Sequence, residues 1–130
     1  MPRIFLTILL ATISSSAIAE WVNIREDKFA TVYFDSGTIT LNKKSGIAEV
    51  WHLLDYKTPQ DSMGKKYFSA KIRMGYNCKT MKLRNLGLTW HAENMGGGEK
   101  LFSRTLSGDW RRPLPRSLDA TLLGIVCEQK

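Results

Sequence analysis

The sequence is poor in the residues that chemistry most often needs. It holds two histidines, His52 and His91, and two cysteines, Cys78 and Cys127. Neither histidine has a second ligand at the short spacing of zinc motifs, and a helical H-E-x-x-H is missing. No G-x-S-x-G elbow offers a serine nucleophile, and a catalytic triad would have to be assembled from distant parts of the chain. Asp55 and Asp61 could supply a carboxylate pair, but a strand end and a polar segment account for them as solvated charges. The triplet Gly96-Gly97-Gly98 lacks the G-K-[ST] ending of a phosphate loop and precedes no helix, so it reads as a hairpin turn. This supply points away from an enzyme and calls for no metal or cofactor.

Long apolar runs are also scarce. The exception is Ile4–Ile13, which follows a short basic start and leads into Ser14-Ser15-Ser16-Ala17-Ile18-Ala19. The run is too short to span a bilayer, and its small-x-small end fits a secretory signal cleaved between Ala19 and Glu20. Residues 1–19 are therefore read as a signal peptide and 20–130 as one domain, with no membrane-spanning segment in the mature chain. No cysteine sits at the cleavage point, where Glu20 follows Ala19, so lipid anchoring is not expected. Export directs the two cysteines toward a Cys78–Cys127 disulfide, since an oxidising compartment favours a structural bridge over a metal site.

Acid is the third scarcity. The full chain carries 19 Lys and Arg against 12 Asp and Glu, and loss of Arg3 with the signal leaves 18 against 12, or +6. No acidic residue falls between Gly64 and Ala92, a stretch that contains Lys71, Arg73, Lys79, Lys82 and Arg84. An exported basic protein meets anionic lipids, glycans, wall polymers or acidic protein surfaces more often than nucleic acid. The same charges would be mere solvated decoration if Glu49, Asp55 or Asp61 on neighbouring strands balanced them.

What the sequence does have is alternation. Phe68, Ala70, Ile72, Met74 and Tyr76 share one face of an extended chain, with Ser69, Lys71, Arg73 and Asn77 on the other. The phase slips by one residue after Cys78, which predicts a bulge or a strand break near Lys79 and Thr80. Trp21–Arg25, Phe29–Asp35, Thr38–Leu41, Ile47–Tyr56, Leu86–Trp90 and Leu101–Arg104 read as further strands. Asp35-Ser36-Gly37 and Lys43–Gly46 supply turns, and the polar stretch Lys57–Lys66, with Pro59 and Gly64, reads as a surface loop. The four tryptophans, Trp21, Trp51, Trp90 and Trp110, are assigned to core and sheet packing. Ser117 is a candidate N-cap for a C-terminal helix carrying Leu118, Leu122, Ile125 and Val126, with Asp119 in its first turn. The expected fold is α+β: an antiparallel meander of about six strands with the helix packed on one face and tied to it by the disulfide.

In order and spacing, Trp21, Tyr33-Phe34-Asp35, Trp51-x-Leu53-x-Asp55-Tyr56, Tyr67-Phe68-Ser69-Ala70-Lys71, Cys78, Met95 with Gly97, Trp110, Pro115 and Val126-Cys127 resemble the surface-adhesin E family of small exported bacterial proteins. The resemblance spans the mature chain. It implies an antiparallel sheet with a disulfide-tied C-terminal helix, and an adhesin that binds host matrix proteins and plasminogen partly through basic surface. Carried onto this chain, it marks Lys71, Arg73, Lys79, Lys82 and Arg84 as binding candidates. The namesake adhesin is a lipoprotein, whereas this chain lacks a lipobox cysteine, which leaves surface or periplasm open. The second reading is a soluble periplasmic accessory protein that engages anionic cell-wall polymer, lipid headgroup or an envelope complex.

Overall fold

A computed structural model of the chain describes residues 19–128, so the signal-peptide reading of 1–19 lies outside the described residues except at Ala19. The strands are β1 (Trp21–Glu26), β2 (Ala30–Asp35), β3 (Thr40–Asn42), β4 (Ile47–Ser62), β5 (Lys65–Asn77), β6 (Lys82–His91) and β7 (Lys100–Thr105), followed by helix α1 (Leu118–Glu128). All pair antiparallel in the order β1-β2-β4-β5-β6-β7, with β3 beside the start of β4. The expected meander with one C-terminal helix is the observed fold.

Alternation selects the buried face. Phe34, Ala48, Val50, Met74, Tyr76 and Leu83 point from β2, β4, β5 and β6 into one core, and Leu122, Leu123 and Val126 of α1 close it. Each of the three helix side chains withdraws apolar surface worth about 1.5–3 kcal/mol relative to exposure. Ser117 caps the helix, its Oγ accepting from the Ala120 N–H at 3.2 Å. The Cys78–Cys127 disulfide joins the end of β5 to the last turn of α1.

Three local expectations change. Lys57–Lys66 is not a loop: β4 and β5 run on through it as a long hairpin arm closed at Met63 and Gly64, both at positive φ. Its polar composition reflects exposure, and Pro59 falls where the β4–β5 register is broken between Asp55 and Gln60. The slip after Cys78 is a strand break, a turn through Lys79 and Thr80 to Met81 at φ 56°. A separate bulge at Leu86 sits one step further on, where Arg73 pairs Gly87 but Met74 pairs Asn85.

His52 and Tyr76 form a buried polar contact beneath the helix, with Nε2 and the hydroxyl 2.6 Å apart. Burial lowers the His52 pKa to about 4 and raises that of Tyr76. Because His52 stays neutral in the native core while it protonates near 6.5 in the unfolded chain, its stabilising share is whole above pH 6.5. It falls as pH drops toward 4, by up to about 1.4 kcal/mol per pH unit. Urea unfolding at a series of pH values should show this slope in the native sequence and its loss in His52→Phe. Replacing both cysteines by serine should lower stability by roughly 3 kcal/mol through loss of the cross-link, read as a fall in the urea midpoint.

Candidate binding face

The helix covers one face of the sheet, and the charged positions lie on the other. Lys71 and Arg73 alternate on β5; Arg84 stands opposite Gly75 and Lys82 opposite Asn77 on β6, which puts all four on the helix-free face. Lys79 does not join them. It sits in the β5–β6 turn, where its Nζ donates to the Lys44 carbonyl at 2.6 Å and its stem lies against Gly46.

The acids near this face are already engaged. Glu49 pairs with Arg73 at 3.7 Å. Asp55 Oδ1 accepts from Asn94 Nδ2 at 2.9 Å and from the Met95 N–H at 2.8 Å. Asp35 Oδ1 accepts the backbone N–H groups of Glu20 and Gly37, each at 3.0 Å. Arg84 lies over the Trp110 ring at 4.7 Å, and Trp110 in turn covers Gly75, where a side chain would meet it. Among the described residues, Lys71, Lys82 and Lys100 have no carboxylate within ion-pair distance. Of the basic set, Lys71 and Lys82 therefore remain available, while Arg73 and Arg84 are partly committed to the sheet itself.

Lys71 belongs to a cleft of about 260 Å³ that it lines with Ala19, Trp21, Asp35, Trp51, Thr89, His91 and Lys100. The connection after β6 helps hold it in place. Ser69 Oγ donates to the Glu93 carbonyl at 2.6 Å and accepts from the Gly96 N–H at 2.8 Å, folding the glycine-rich turn over the sheet. Gly96 takes φ 72°, a conformation that favours glycine, and a Cβ there would crowd the flexible end of the Lys71 side chain at Cε. Lys71 Nζ reaches toward the Trp21 ring at 5.9 Å.

His91 is buried at the base of the cleft with Nε2 2.8 Å from Thr89 Oγ1. Burial lowers its pKa, and the like charges of Lys71 and Lys100 lower it further. Each of the four tryptophans is partly buried and none belongs to the fully buried core; Trp90 stacks with Tyr67 and Phe102 and Trp110 lies over Gly75, so the expected packing is on the sheet rather than in the core. Sequence reasoning passed over Lys100 and the cleft. Thr89-x-His91 on β6 alternates in phase with Lys71, but the pairing of Lys71 with Thr89, and the approach of β1 and β7, exist only in the folded sheet.

The family model for surface-adhesin protein E matches residues 21–128. Among solved structures, the chain is similar to protein E of Haemophilus influenzae, with a TM-score of 0.68 and 14% identity over 83% of each chain. A second crystal form of that protein gives a TM-score of 0.69 at 12% identity, covering 87% of this chain and 94% of the other. Protein E from a non-typeable strain gives 0.63 at 14% identity over 84% of each. At these identities the structural likeness shows the fold alone. A search of curated proteins finds no significant match.

If Lys71 and Lys100 face His91 as described, removing either charge relieves repulsion of the imidazolium. NMR titration of the His91 ring should give a higher pKa in Lys71→Gln and in Lys100→Gln, with the two shifts adding in the double variant.

Proposed function

The chain belongs to the surface-adhesin protein E family, and from that premise we propose that it is an exported, non-enzymatic binding protein whose helix-free basic face contacts acidic groups on host matrix proteins or plasminogen. One observation carries this reading: the acids near that face are held by Arg73, by backbone N–H groups or by Asn94, while Lys71, Lys82 and Lys100 have no acid partner among the described residues. Exposed cations of this kind accelerate encounter with an acidic partner and lose their effect as salt rises. The partly buried Trp21 and Trp51 give the cleft apolar walls beside the charge, a combination that supports contact with more than a diffuse cloud of ions.

Charge reversal at Lys71, Lys82 and Lys100 leaves the Arg73–Glu49 pair and the Arg84–Trp110 stack in place. Against immobilised plasminogen and basement-membrane matrix extract, the triple glutamate variant should bind at least about tenfold more weakly at physiological salt, mainly through a slower on-rate. Its affinity should also respond less to added salt. Unchanged affinity would remove the basic face from the function. Protease treatment of intact cells should digest the protein if it works at the surface; protection until the outer membrane is opened would assign the face to anionic envelope components instead.

A further inference from the structure

Asp35 is 3% exposed, and none of the described lysines or arginines pairs with it. A buried carboxylate without a cation is costly, and its neighbours show what is aimed at it. The Glu20 nitrogen lies 3.0 Å from Asp35 Oδ1, joined there by the Gly37 N–H. The turn after β2 then grips Glu20 from its other side. The Ser36 N–H donates to the Glu20 carbonyl at 3.0 Å, and Ser36 Oγ lies 3.4 Å from that carbonyl and 3.3 Å from Glu20 Oε2. The backbone nitrogen seated on the buried acid is thus the one that the small-x-small pattern ending at Ala19 marks as the new N-terminus.

We propose that cleavage between Ala19 and Glu20 supplies Asp35 with its missing cation, the processed N-terminus becoming an internal ion pair that locks β1 onto the sheet. Hydrolysis by an export-signal peptidase adds one water across the Ala19–Glu20 bond. Ala19 leaves with a carboxylate, and Glu20 keeps the nitrogen as an ammonium. A neutral amide hydrogen bond to Asp35 becomes a charge-assisted one at the same place. Ala19 also lines the cleft shared by Trp21, Lys71 and His91, so its departure removes part of the wall. Asp35 lines that cleft together with Lys71 and Lys100, but neither lysine comes within ion-pair distance of it, so the lock is formed by Glu20 and the Asp35–Gly37 turn.

The test compares the exported protein with a form carrying Gly-Ser inserted between Ala19 and Glu20, which moves the free amine two residues away and leaves a neutral Glu20 N–H. Intact mass should show the natural chain beginning at Glu20. The insertion should raise the unfolding constant about tenfold and speed hydrogen exchange of the β1 amides. In an Asp35→Asn background the insertion should have no further effect. Hydrogen exchange in β1 reads the lock in the insertion form alone, should Asp35→Asn fail to fold. A different natural N-terminus, equal stability and exchange with and without the insertion, or additive effects with Asp35→Asn would each overturn the proposal.

Discussion

A six-column sheet has two faces, and the described residues form one α-helix. α1 lies on the face where alternation places Val50, Met74, Tyr76 and Leu83, and the disulfide fixes its far end there. The opposite face must be covered piece by piece from its own edges. Trp110 lies over Gly75, the glycine-rich turn is bonded to Ser69, and the stretch before β1 is bonded to Asp35. Each cover is short, because a segment without regular structure has to satisfy its backbone polar groups wherever it leaves water. This unequal coverage positions nearly everything else of interest in the molecule.

Leu53, Ser69, Thr89, His91 and Asp35 are buried although no helix lies above them. A face assembled from patches leaves gaps, and one of them is the cleft that Asp35, His91, Lys71 and Lys100 line. Lys71 and Lys100 approach from β5 and β7, and burial followed by their charge lowers the pKa of the His91 imidazole. Arg73 illustrates the opposite outcome. One step along the same strand, a glutamate on β4 lies within reach, and the charge is largely answered inside the sheet. An exposed pair of this kind contributes at most about 1 kcal/mol, so its main effect is to remove Arg73 from the free basic surface.

The same architecture persists in relatives at 12–16% identity. That degree of divergence is compatible with a fold held by pattern, since alternating apolar positions, a helix and one cross-link tolerate extensive substitution provided that volume and phase are kept. Surface chemistry has no such protection. The fold is kept by pattern, and it does not by itself specify what the charges on the helix-free face contact.

The order and phase of the strands, the helix and the disulfide were legible in the sequence because each rests on local information: period-two apolar residues, a serine before a helical repeat, two cysteines in an exported chain. The Lys57–Lys66 arm was misread as a loop because polar composition reports exposure, and ladder hydrogen bonds form regardless of side-chain polarity. The basic set was legible as a list of charges but not as a surface. Lys79 shares a sequence window with Lys82 and Arg84, yet a turn at positive φ at Met81 carries it away from them. The sequence by itself determined which residues could face which side of a sheet. Only the tertiary structure decided which polar and charged groups meet, because Glu49 reaches Arg73, and the Glu20 N–H reaches Asp35, across strand pairings that link residues far apart in the chain.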